Sequence, residues 1–217
     1  MSLSCELLAV SVGLPRSVVH NGKTFETGIY KEPVEGPIRA RELGLEGDGQ
    51  ADLSAHGGIH KAVYAYSFAH VKWWARELER DDLGFGTFGE NFSIDALDEK
   101  QVHIGDVFRC GGVLLQVTQP RSPCFKLAMK LELPTLPKRF LASGRTGFYL
   151  SVLEPGEVRA GDRMERVTTD SAAVSVHAVH RLAHFERQDR EGLRRAVAVQ
   201  ALAPEWRDSL RALLPED

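Results

Sequence analysis

Short apolar runs separated by glycine dominate the first two thirds of the chain. Leu7-Leu-Ala-Val-Ser-Val12 reads as a strand that ends at Gly13-Leu-Pro15. Gly22, Gly28 and Gly36 then punctuate short segments, as expected of β structure with tight connections. Residues 102–104, 107–109 and 113–118 read as consecutive strands, with turn chemistry at Gly105-Asp106 and Gly111-Gly112. Residues 148–153 and 162–167 read as two further strands, with Pro155-Gly156 and Gly161 between them. Many short strands joined by glycine turns predict a closed or half-closed barrel.

The pattern switches to helical spacing at Ser67. Phe68, Val71, Trp74, Ala75 and Leu78 share one face, which predicts a helix over 68–78 capped by Ser67. Shorter helices are expected at 126–132 and 138–142. Beyond Val167 the strands give way to three helical segments, at 175–183, 189–202 and 204–214. Ser175 and Asp189 suit N-caps there, and Pro204 suits a first turn. The expected class is mainly β with helices (α+β). A barrel domain is expected over 1–167 and a three-helix extension over 168–217.

Composition narrows the picture. The 217 residues are 43% hydrophobic and 26% charged, ordinary for a globular protein with a substantial core. A net charge of −3 argues against a partner that is a nucleic acid polymer. No apolar run approaches the ~20 residues needed to cross a bilayer, so no membrane partner is expected. The start lacks the basic segment of a secretory signal. Three widely spaced cysteines, Cys5, Cys110 and Cys124, do not form a disulfide framework, and a cytoplasmic location is the simplest expectation.

Cys124 carries the strongest candidate chemistry. It lies in Gln119-Pro-Arg-Ser-Pro-Cys-Phe-Lys126, where two prolines stiffen the backbone and Arg121 and Lys126 flank the thiol. Positive neighbours favour a thiolate, which is both nucleophile and soft-metal ligand; the alternative is an inert buried cysteine. Cys5 and Cys110 read as structural.

Other motifs weigh less. Gly84-Phe-Gly-Thr-Phe-Gly89 matches G-x-G-x-x-G, but no strand precedes it and no helix follows, so a dinucleotide site is rejected. His56-Gly-Gly-Ile-His60 has the helical spacing of a zinc pair, yet Gly57 and Gly58 oppose a helix. A turn that holds an anion, aided by Lys61, fits better. Gly44-Leu-Glu-Gly-Asp48 reads as a structural turn whose acids are solvated or capping. Arg145 could contact an anion or begin a strand. His177, His180 and His184 share a helix face, and a packed or solvated face is expected over a metal site.

Together these segments resemble the MOSC domain, the family related to the C-terminal part of molybdenum cofactor sulfurases, and in particular its YiiM-like group. The residues that carry the resemblance are Gly44-Leu-Glu-Gly-Asp48, His56-Gly-Gly58 with Lys61-Ala-Val63, Phe88-Gly-Glu-Asn-Phe92, Gly105-Asp106 and Gln119-Pro-Arg-Ser-Pro-Cys124. The helical tail resembles the three-helix extension of that group.

The resemblance implies a barrel that binds molybdenum cofactor (molybdopterin), with Cys124 as catalytic residue and molybdenum ligand. It implies cofactor contacts from His56, Gly57, Gly58, Lys61, Asn91, Arg121 and Arg145. One departure is His60, where relatives often carry an acid. The implied activity is reduction of N-hydroxylated compounds, in particular N-hydroxylated purine bases such as 6-hydroxylaminopurine, in a detoxification role. The chain shows no flavin, nicotinamide or iron–sulfur motif, and no pyridoxal phosphate site is expected. A separate electron-donor reductase is therefore implied, with the helical tail as a candidate docking surface. Two alternatives stay open: a sulfur carrier with a persulfide on Cys124, and a non-catalytic protein that binds or inserts the cofactor.

Overall fold

The computed structural model describes residues 3–51 and 57–215. The elements run β1 (Ser4–Val12), β2 (Arg16–His20), β3 (Lys23–Thr27), β4 (Glu32–Pro33), β5 (Ile38–Arg41), β6 (Gly44–Leu45), β7 (Val63–Ser67) and α1 (Phe68–Leu78). Next come β8 (Phe92–Ile94), β9 (Val107–Cys110), β10 (Val113–Pro120), α2 (Phe125–Lys130), α3 (Leu136–Ser143), β11 (Phe148–Glu154), β12 (Gly156–Val158) and β13 (Arg163–Thr168). The tail is α4 (Val176–His184), α5 (Arg190–Ala198) and α6 (Pro204–Arg211).

Seven strands close a ring in the order β13-β9-β10-β11-β7-β8-β1, and β1 returns to pair with β13. Closure removes the open edges that a flat sheet would leave. The β1–β13 seam is antiparallel and sets Ser4 opposite Glu165. The β7–β8 pair is parallel, with Ala65 opposite Phe92. Alternate residues point inward, so Leu7, Val63, Ala65, Phe108, Leu115, Val117 and Leu150 meet in a fully buried centre.

The tail does not stand apart from this centre. Val176, Val179, Leu182, Leu193, Leu202 and Leu210 belong to the same apolar cluster as the barrel strands. Ser175 and Asp189 cap α4 and α5 by accepting from Ala178 N and Gly192 N. A second cluster joins Tyr64, Tyr66, Trp74, Phe88, Phe140, Leu127 and Leu131, and it seats α1, α2 and α3 against the barrel wall. No helix among the described residues is long and apolar enough to cross a membrane.

Two expectations need correction. Residues 102–104 are not a strand; His103 makes one isolated bridge to Ser175, while Asp106 folds the segment into a turn by accepting from His103 N at 3.0 Å. Ser67 holds the N-cap position of α1 without a side-chain cap bond, because it is the buried last residue of β7.

Candidate functional site

The segment after β10 delivers Cys124. The strand ends at Pro120, and residues 121–123 lead the thiol to the N-cap position of α2. Leu127 and Leu131 bury the helix face behind it. Cys124 is half-buried and unbonded, and it lines a cavity. Cys5 and Cys110 are buried inside the barrel, where burial pushes both thiols up to about 12. At neutral pH they are packed, protonated thiols.

The cavity gathers Lys31, Asp48, Lys61, Arg121 and Lys126 around Cys124, with Asn91, Tyr64 and Tyr149 in its wall. Four cations face one carboxylate, so the interior favours an anion. Most of these cations are already engaged. Lys31 pairs with Asp48 in a buried contact. Lys61 pairs with Glu205 of α6 at 2.8 Å. Lys126 donates to the Glu26 carbonyl at 2.9 Å.

Arg121 differs. Only 6% exposed, it lies over the Tyr64 ring at 4.9 Å and the Phe140 ring at 5.5 Å. Its Nη1 is buried and has no hydrogen-bond partner among the described residues. Burial penalises its charge, yet a guanidinium keeps its proton in a protein, and the Tyr64 and Phe140 ring faces hold it. Burial also raises Tyr64 and Tyr149, so both hydroxyls stay protonated.

Asp48 organises one wall. It accepts from Gly13 N at 2.9 Å, from Asn91 Nδ2 at 2.8 Å and from Lys31. The expectation of a solvated or capping Asp48 is therefore corrected: its side chain is 8% exposed and holds three donors. Asn91 is equally committed. Its Oδ1 accepts from Tyr64 N at 3.1 Å, and its Nδ2 donates to Asp48 and to the Ser11 carbonyl. The amide lines the cavity, but its two donors and its acceptor are already used by the protein.

The structure thus brings Lys61, Asn91, Arg121 and Cys124 together. Gly57 and Gly58 lie beside the site rather than in its lining, and Gly58 N donates to Gln50 Oε1 at 2.8 Å. The positive φ of 89° at Gly58 is one that glycine adopts freely. His56 falls outside the described residues. Arg145 is not in the cavity lining; its guanidinium lies 4.3 Å above the Trp73 ring, and its carbonyl accepts from Tyr66 Oη.

The remaining motifs have structural uses. The turn at 84–89 wraps the buried Glu90, whose carboxylate accepts from Gly86 N, Phe88 N and Ser93 Oγ at 2.8–3.0 Å. His180 of α4 is buried and its Nε2 donates to the Leu141 carbonyl at 2.9 Å. No group of three or more metal-ligating side chains occurs among the described residues. Lys31, Tyr64 and Tyr149 escaped the sequence reading, because segments far apart in the chain, the loop before β4 and the strands β7 and β11, bring them into the lining.

Sequence comparison agrees with this geometry. Residues 52–165 match the MOSC domain, and residues 174–215 match the YiiM-like 3-alpha helix domain. The chain belongs to the MOSC-domain family and carries the YiiM-like extension. Protein YiiM of Escherichia coli (strain K12) is 37% identical over 182 residues, covering 83% of this chain and 81% of that protein. The crystal structure of YiiM from Geobacillus stearothermophilus has a TM-score of 0.83 at 30% identity, covering 97% of this chain and 100% of that one. A protein of Gibberella moniliformis (strain M3125 / FGSC 7600) named Reductase is 35% identical over 164 residues, covering 74% of this chain but 29% of that longer protein.

Proposed function

We propose that this chain is a molybdenum-cofactor-dependent reductase of N-hydroxylated compounds, with N-hydroxylated purine bases such as 6-hydroxylaminopurine as substrates. The observation that carries the reading is the pairing of one half-buried thiol with one buried guanidinium nitrogen, Arg121 Nη1, that has no hydrogen-bond partner among the described residues. Cys124 offers a single sulfur, and Arg121 offers a buried donor that no described residue accepts. A buried unpaired donor is costly, so its natural complement is an acceptor from outside the chain.

The donor set fits molybdenum cofactor. Cys124 would hold the metal, a use suited to a soft thiolate. Arg121 and Lys61 would meet the anionic end of the pterin through charge-assisted hydrogen bonds. Asn91 and Asp48 would act from behind, fixing the wall rather than binding the pterin edge. Bound there, the cofactor supplies two-electron reduction of the N–O bond, which consumes two protons and releases one water. Tyr149 presents a protonated hydroxyl in the lining. The MOSC name and the relative named Reductase support an oxidoreductase.

The reading also places the protein in the cytoplasm, with a separate reductase as electron source and with removal of mutagenic base analogues as its role. The test is to produce the protein in a cofactor-competent host, then measure molybdenum, releasable pterin and turnover of 6-hydroxylaminopurine with a chemical reductant. Molybdenum, pterin and turnover are expected together. A persulfide on Cys124 without molybdenum would replace the reading with a sulfur carrier. Bound cofactor without turnover would replace it with a storage or insertion protein.

A further inference from the structure

An aromatic pair adjoins the cavity through its chain neighbours: Cys124 and Lys126, which flank Phe125, both line it, while neither ring of the pair belongs to the lining. Phe125 directly follows Cys124, and its ring remains 46% exposed. Phe25 of β3 meets it edge-on, with ring centroids 4.9 Å apart at 61°. Thr27 lies two residues beyond Phe25, on the same strand face, and lines the cavity. The pair is therefore next to residues that line the space beside the thiol. Leaving a phenylalanine half in water forgoes part of the ~1.5–3 kcal/mol that its burial provides. Such a ring gains most from a flat apolar partner.

The hairpin that carries Phe25 has few other ties. β2 and β3 pair only with each other, outside the barrel sheet. A lone two-stranded hairpin is marginal in water. Besides the ring contact, the bond from Lys126 to the Glu26 carbonyl ties it to α2. Two readings of the pair thus compete: an apolar latch for the hairpin, or a stacking surface for a ligand.

We propose that Phe25 and Phe125 form the specificity subsite for the planar heteroaromatic part of the substrate, holding a purine-type base by its face while its N–OH group reaches toward Cys124. The subsite rests on the reductase reading. It adds that aromatic N-hydroxylated compounds are preferred over aliphatic ones at the binding step. Stacking of a base on an aromatic side chain is sequence-tolerant and weakens by about fivefold or more on alanine substitution. Reduction of 6-hydroxylaminopurine yields adenine, which keeps the same ring face and binds without needing the metal.

The test uses Phe125→Ala, Phe125→Leu and Phe125→Tyr in the full chain, with molybdenum content measured for each. Adenine affinity is read by equilibrium dialysis. KM and kcat are read for 6-hydroxylaminopurine and for acetamidoxime with a chemical reductant. The alanine and leucine variants are expected to weaken adenine binding about tenfold and to raise KM for the purine about tenfold. Acetamidoxime kinetics should stay within about twofold of wild type, and tyrosine should restore purine binding. Leucine separates the readings, because it keeps an apolar latch and loses the ring. Wild-type behaviour of Phe125→Leu, equal losses for both substrates, or absence of adenine binding by the wild-type chain would each overturn the subsite. Adenine binding that depends on the ring, with neither substrate turned over, would leave the subsite standing and refute the reductase reading instead.

Discussion

Removing the Asp48 carboxylate gives a sharp test of how the cavity wall is held. In Asp48→Ala, Gly13 N, Asn91 Nδ2 and the Lys31 ammonium all lose an acceptor. Both charged side chains are under a tenth exposed, at 9% for Lys31 and 8% for Asp48. Breaking a buried pair by deleting one partner costs about 3–5 kcal/mol. The orphaned neutral donors would each add about 1–3 kcal/mol if fully dry, but the cavity admits water to this wall. The expected loss at pH 7 is about 4 kcal/mol, dominated by Lys31. Burial already pulls Lys31 below its ordinary value of 10.5, against the opposing pull of Asp48. Without Asp48 the ammonium loses its proton more readily, so the penalty should shrink at pH 9. Lys31→Met in the same chain removes the stranded charge. The double variant should therefore be more stable than the sum of the single losses by at least about 1.5 kcal/mol. Urea denaturation of the four proteins at pH 7 and 9, with unchanged m, measures each term. A loss below about 1 kcal/mol for Asp48→Ala, or strict additivity, would refute the buried-pair argument.

Other outcomes follow from the same geometry. Cys124→Ser should abolish reductase activity and leave the thermal midpoint within a few degrees, while Cys5→Ser and Cys110→Ser should retain activity where they fold; steady-state rates and calorimetry check this. Burial lowers His180 from 6.5 to about 4. Its contribution is whole above pH 6.5 and is lost as pH falls through 4, because the unfolded chain takes up the proton first; the loss approaches about 3 kcal/mol. Urea midpoints at pH 7 and 4 should show it, and His180→Gln should flatten it. Lys61→Met should cut bound molybdenum and pterin severalfold. Glu205→Gln should change stability by less than about 1 kcal/mol, because Glu205 is mostly exposed; cofactor assay and denaturation separate the two.

What the sequence disclosed follows the range of the interactions involved. Helix α1 was legible to the residue because its apolar spacing is local, and the caps at Ser175 and Asp189 were legible for the same reason. Cys124 stood out because prolines and cations adjoin it in the chain. Asn91 was found, but its commitment to Asp48, Ser11 and Tyr64 was not, since those partners lie 27–80 residues away. Lys31 and Tyr149 were invisible because no local pattern marks them. The stack of Arg145 on Trp73 was equally invisible, since the two lie 72 residues apart. The 16–27 hairpin was read as punctuated segments, although its register is regular from Arg16 opposite Thr27 to His20 opposite Lys23.

The seam between β1 and β13 carries a consequence for biosynthesis. Ser4 leaves the ribosome early but pairs with Glu165. At ~5–20 residues per second, the first strand waits on the order of 10–30 s for its neighbour. During that interval one edge of β1 has no strand to take it, and an open edge recruits other strands. Synthesis rate and chaperone supply should therefore govern yield more strongly than final stability does. Slowing translation across residues 120–165 should increase the aggregated fraction, and pulse-labelled chains sorted by solubility would reveal it.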